Sequence, residues 1–134
     1  MKSRHRRPWF AGVLFVAAIM AAFVAPARAE ETSDTIRLVV GAARTIELVE
    51  NPSTGYGWRL NESMSRNLAL VSVNDAGFVP RPTDRPLMGA PGVRRYRITA
   101  RGPGTAVAVF DYVRPWERVA PARRHTLTIE IGGR

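Results

Sequence analysis

Few side chains in this 134-residue chain could carry out a reaction. Cysteine is absent, which removes a thiol nucleophile, a thiolate zinc site, a disulfide framework and a lipid-anchoring cysteine. A hydroxyl nucleophile at Ser53, Ser63, Ser65 or Ser72 would need a positioned base. Of the two histidines, His5 lies in a basic N-terminal stretch, and His125 follows Arg123 and Arg124, where a structural or surface role is expected. One remaining histidine cannot build a His-rich metal site. Asp84, Asp111, Glu117 and Glu130 lack the spacing of a metal-binding loop. The expectation is a protein without catalytic residues, metal or cofactor.

Three stretches carry residues suited to contact. Asn51-Pro52-Ser53-Thr54-Gly55-Tyr56 is small and polar. Its asparagine precedes proline, which favours an extended or turn start, and its glycine permits positive φ. Leu87-Met88-Gly89-Ala90-Pro91-Gly92 ends a proline-rich run and lets backbone approach another surface. Arg114-Pro115-Trp116 places a tryptophan beside proline with little core to enter, and Trp with Arg is common at interface hot spots.

The elements that must position these stretches read as strands. Apolar residues alternate at period two in Thr35–Val40, Arg44–Val49, Tyr56–Asn61, Leu68–Val73, Val93–Ala100, Thr105–Tyr112 and Thr126–Ile131. Trp58, inside the third run, is expected in the core. No window of eleven or more residues holds a helical period. Gly102-Pro103-Gly104 reads as a tight hairpin turn between the fifth and sixth runs. Seven short strands predict an all-β, immunoglobulin-like antiparallel sandwich, with a small barrel as the alternative. With strand direction alternating, the loops 50–56, 74–92 and 113–125 emerge at one end. Function on a sandwich tends to sit on such loops.

The N-terminus reads as an export signal. Residues 2–7 are basic, the stretch from Pro8 to Ala27 is uncharged and mostly apolar, and Ala27-Arg28-Ala29 matches a small-x-small cleavage pattern. Cleavage before Glu30 gives a signal peptide at 1–29 and one domain at 30–134. An uncleaved anchor is the alternative. The net charge of +9 then falls to +4, with all fifteen remaining cations arginine. That is too mild for a nucleic-acid binder. The expected product is periplasmic or secreted, monomeric, and free of membrane once processed. Asn61-Glu62-Ser63 matches a glycosylation acceptor, relevant only where the source glycosylates there.

Taken together, the three loops resemble the chagasin family, exported protein inhibitors of papain-type cysteine proteases. That family carries an Asn-Pro-Thr-Thr-Gly-aromatic loop, a Gly-x-Gly loop and an Arg-Pro-Trp loop, in this order, on an immunoglobulin-like sandwich. Here the first is Asn51 to Tyr56 with Ser53 in place of Thr, and the third is intact as Arg114-Pro115-Trp116. The second departs, because Pro91 stands where the second glycine would fall, and proline fixes φ and donates no N–H. The resemblance implies a reversible inhibitor. Ser53, Thr54 and Gly55 would enter the protease cleft beside the catalytic cysteine. Gly89 and Gly92, with Ala90 and Pro91, would lie on one flank, and Trp116 would pack on the enzyme on the other. An immunoglobulin-like binding or assembly module without protease inhibition is the alternative that Pro91 leaves open.

Overall fold

The computed structural model describes Ala22, Ala25 and residues 28–82 and 90–133. The expected signal peptide at 1–29 lies almost wholly outside the described residues, as does Gly89. Among the described residues seven strands form in the expected order: β1 (Glu30–Val39), β2 (Ala43–Glu50), β3 (Gly57–Leu60), β4 (Val71–Pro80), β5 (Gly92–Ala100), β6 (Gly104–Val113) and β7 (Arg123–Gly132). They build two sheets, one ordered β1-β7-β6-β3 and the other β2-β5-β4. All pairings are antiparallel except β1 with β7, which run parallel from Glu30 opposite Arg123 to Val39 opposite Gly132. This is the immunoglobulin-like sandwich.

The period-two alternation drives the packing. Leu127, Ile129 and Ile131 of β7 and Tyr96, Ile98 and Ala100 of β5 are buried between the sheets. They meet Ala106, Ala108 and Phe110 of β6, and the Tyr96 and Phe110 ring centroids lie 4.6 Å apart. Trp58 is in the core as expected, its indole N–H donating to the Val49 carbonyl at 2.8 Å. His125 is buried in β7, with its Nδ1 2.8 Å from the Thr32 hydroxyl. Burial holds its imidazole below the ordinary value, opposed by the Asp34 carboxylate.

Three expectations are corrected. Leu68–Leu70 is a 3₁₀ turn, entered through Asn67 at φ 55°, and not the start of a strand. The fourth strand instead runs on to Pro80, so the long loop begins at Arg81 rather than residue 74. Asn74, Asp75 and Gly77 look like loop residues but belong to an edge strand. There the ladder shifts between Asp75 and Gly77, and the Asp75 carboxylate accepts from the Gly77 N–H at 2.8 Å. Edge strands tolerate polar residues and bulges because one side has no ladder to satisfy. Gly102-Pro103-Gly104 is also no hairpin: β5 and β6 lie in different sheets, so this turn crosses the sandwich. Its backbone is held by the Leu70 carbonyl, which accepts from Arg101 N–H at 2.8 Å.

The registers gather the three loops at one end. Gly92 opposes both Glu50 and Pro80, which brings the first and middle loops together on the β2-β5-β4 sheet. Gly57 opposes Val113 and Tyr112 opposes Arg123, which brings the first and third loops together on the other sheet.

Candidate functional site

The first loop holds its own shape. Asn51 caps a single 3₁₀ turn, Pro52–Thr54, and its side-chain oxygen accepts from the Ser53 hydroxyl at 2.6 Å and the Ser53 N–H at 3.3 Å. The Thr54 hydroxyl returns to the Asn51 carbonyl at 2.7 Å. Proline at the first turn position loses no needed N–H. Gly55 closes the turn at φ 78°, the left-handed region that glycine enters without strain. The result is an exposed tip of Pro52, Ser53 and Thr54 whose two hydroxyls are bonded within the loop.

Aromatic packing ties this tip to the core. The Asn51 N–H donates to the Tyr112 hydroxyl at 2.9 Å. Tyr56 stacks on Tyr112 with centroids 5.2 Å apart, and Trp58 also packs against Tyr112, with centroids 4.9 Å apart.

The third loop is fastened onto the first. Arg114 donates from Nε to the Thr54 carbonyl at 3.0 Å and lays its guanidinium 4.3 Å over the Tyr56 ring. Its Nη1 also reaches the Glu117 carboxylate at 3.0 Å. The planar guanidinium meets all three at once, which a lysine ammonium cannot do. Trp116 remains 68% exposed, yet its ring lies so close to Gly55 that a methyl group there would overlap it. Glycine at position 55 thus answers two demands, the positive φ and the tryptophan.

The middle stretch is less of a loop than its sequence suggests. Gly92 is buried in β5, where an added Cβ would overlap the Val79 carbonyl and crowd Phe78 and Pro80. Its missing side chain serves the hairpin itself. Pro91 is exposed, and its carbonyl accepts from the Arg81 N–H at 3.2 Å. Ala90 is half-buried.

Sequence reasoning missed the ion pair under the loops. Glu50 is only 3% exposed and takes Arg94 in a two-pronged contact, Oε2 to Nε at 2.9 Å and Oε1 to Nη2 at 2.8 Å. The same carboxylate accepts from the Trp58 N–H at 3.3 Å, and Arg94 reaches Asp75 at 3.2 Å. Beside it the Tyr96 hydroxyl donates to the Trp58 carbonyl at 2.8 Å, and burial pushes its phenol up to about 12. A buried pair is tolerable only with such complete bonding. The signal was present in the alternation. Glu50 continues the inward series Ile46, Leu48, and Arg94 continues Tyr96, Ile98, Ala100, so two opposite charges fall in phase with the core.

None of this forms a catalytic centre. The Ser53 hydroxyl is bound to Asn51, and His125 engages Thr32 and lies 3.6 Å from Asp34. Asn61, the acceptor of the glycosylation motif, donates its amide to Asp111 at 2.8 Å and is half-buried. What the site offers is an exposed, stiff ridge with an aromatic flank.

Comparison with known proteins gives one consistent relationship. Residues 37–131 match the sequence profile described as Chagasin family peptidase inhibitor I42. The chain is 32% identical to chagasin of Trypanosoma cruzi over 84 residues, which is 61% of this chain and 74% of that protein. It is 28% identical to amoebiasin-2 of Entamoeba histolytica over 103 residues, covering 76% of this chain and 80% of the relative. Among solved structures, amebosin superposes with a TM-score of 0.59 at 25% identity, covering 79% of this chain and all of the other. A cysteine protease inhibitor from Entamoeba histolytica superposes equally, with a TM-score of 0.59 at 25% identity, over 78% of this chain and 96% of its own.

Proposed function

The chain belongs to the chagasin family of peptidase inhibitors, and from that premise we propose that it blocks papain-type cysteine proteases by occluding their active-site cleft. The tip Pro52-Ser53-Thr54, with Asn51, Gly55 and Tyr56 behind it, enters the cleft beside the catalytic cysteine. Arg114, Pro115 and Trp116 cover one flank. Ala90, Pro91 and Gly92 lie toward the other, where Gly92 acts by letting the hairpin close rather than by touching the enzyme, and Gly89 joins them as a contact expected from the sequence.

The observation that carries this reading is the fusion of the first and third loops through Arg114 on Thr54 and Tyr56 and Trp116 on Gly55. A ridge ordered before binding loses little entropy on association, so a small contact area can give tight affinity. The tip is a 3₁₀ turn bonded to itself, whereas a protease cleaves an extended chain. The inhibitor therefore occupies the cleft without being cut, and the target's own thiol and imidazole find no scissile bond in place. Export follows from the leader at residues 1–29, into a periplasm or the surrounding medium, as a monomer.

The test is titration of the purified protein against active papain, following hydrolysis of a small peptide substrate. Stoichiometric, reversible loss of activity with the inhibitor intact supports occlusion. Loss of activity accompanied by cleavage within residues 50–56 would mean that the ridge binds as a substrate, and the mechanism would fall.

A further inference from the structure

We propose that a row of three valines, Val49, Val93 and Val79, forms a second apolar contact with the target protease, on the flank opposite Trp116; the inference rests on the cleft-occluding reading above. The three side chains are in register across β2, β5 and β4: Val49 opposes Val93, and Val93 opposes Val79. Directly opposed residues in antiparallel strands share a face. Their neighbours Glu50 and Arg94 point inward to the buried ion pair, so the valines point outward. Val49 is 52% exposed, and Val93 and Val79 are half-buried beside it.

The row is confined to the loop end. One residue further on, Glu50, Gly92 and Pro80 end the ladder and the first and middle loops depart. One step back from the row the same face turns polar, with Glu47 paired to Arg95 at 2.9 Å and then Thr45 beside exposed Arg97. Among the described residues, the strongly exposed large hydrophobics are Val39, Val49, Met64, Trp116 and Val119. Three of these lie at the loop end, Trp116 and Val119 on the β6–β7 side and Val49 on the face of the other sheet. The first loop crosses from one sheet to the other between them. The ridge is thus bracketed by apolar surface on both flanks, and the valine row is continuous with the surface that meets the protease.

The occupant is the apolar part of the protease surface beside the cleft, on the side of the middle hairpin. Pro91 supplies a reason for a strand face to take this role. With proline in place of glycine the middle loop has one donor fewer to offer the enzyme. Strand valines, fixed by the ladder, give contact that does not depend on loop backbone. The row then sets which proteases are held tightly, since an enzyme with charge at that position would bury it unpaired.

The experiment compares four purified proteins by inhibition kinetics on papain and by thermal unfolding: the parent, Val49→Thr/Val79→Thr/Val93→Thr, Val49→Arg and Trp116→Ala. Threonine keeps the β-branched shape and exchanges one methyl for a hydroxyl. The triple variant is expected to raise Ki about tenfold or more, through faster dissociation, as suits loss of apolar contact at three methyl groups. Its melting temperature should stay at the parent value. Should the triple variant unfold, Val49→Arg decides alone, because a half-exposed position accepts any side chain in the free protein; it too should weaken inhibition. If both valine variants inhibit like the parent while Trp116→Ala is weak, the row has no role and the loop reading stands. If Trp116→Ala also inhibits like the parent, the loop reading fails and the row fails with it.

Discussion

Gly55→Ala separates a rigid ridge from a merely exposed tryptophan. The substitution adds one methyl group, and it meets two obstacles. The position sits at φ 78°, where a residue with a Cβ is strained by about 1–2 kcal/mol. The methyl would also overlap the Trp116 ring, so the indole must move off the loop. A displaced hot-spot tryptophan costs binding about 2 kcal/mol or more, which is about thirtyfold in Ki. The strain alone should lower the melting temperature by about 4–8 °C per kcal/mol in a domain this small. The measurement is Ki on papain for Gly55→Ala, Trp116→Ala and the double variant, with thermal unfolding on the same samples. Both single variants should bind at least thirtyfold more weakly. The double variant should be little worse than either, because Gly55→Ala has already removed the indole from its place. Two residues that act independently would instead add within about 0.5 kcal/mol. Additive losses would refute the claim that Trp116 works from its seat on Gly55.

Three further outcomes are expected. Glu50→Ala leaves the Arg94 guanidinium with Asp75 alone and the buried Trp58 N–H without its acceptor, and should destabilise the fold by about 3 kcal/mol in denaturant unfolding, as for a broken buried pair. Acid should weaken the fold through His125. Its folded value is held below the ordinary 6.5, so the stability given by the neutral ring is complete above 6.5 and is lost as pH falls through and below that value. His125→Gln should flatten the dependence of melting temperature on pH between about 5 and 7, and an unchanged slope would assign it to other groups. Pro91→Gly should tighten inhibition by restoring a backbone donor to the middle loop; weaker inhibition would mean that the proline is fitted to this protein's own target.

The strands and their inward faces were legible because alternation is a local property, visible in runs such as Leu127, Ile129, Ile131. The tip at Asn51 to Gly55 was legible for the same reason: the bonds that close the turn on itself span three residues or fewer. Errors arose where local composition and tertiary context disagree. Asn74, Asp75 and Gly77 favour a loop, but an edge strand with one free side accepts them. Gly102 to Gly104 favours a turn, and no local feature tells whether the chain returns to the same sheet or crosses to the other. The site was readable as three motifs but not as an assembly. That Arg114 bonds to Thr54, 60 positions away, and that Trp116 rests on Gly55, depends on the crossing of β2 into β3 beside β6. Gly92 read as a contact residue because a glycine motif does not reveal whether its space is needed by a partner or by the hairpin that carries it.

The parallel pairing of β1 with β7 fixes where the polypeptide enters and leaves the domain. Glu30 opposes Arg123 and donates its N–H to the Ala122 carbonyl at 3.1 Å, while Arg28 and Ala29 line one surface depression with Ala120 and Pro121. Anything joined ahead of Glu30 therefore leaves the sandwich at the loop end, from the β1–β7 side of its sheet. Gly132 and Gly133 depart from the opposite pole. A purification tag, fluorescent fusion or surface linkage at the C-terminus is therefore carried at the end away from the three loops, and the same attachment at the N-terminus is carried at the end they share.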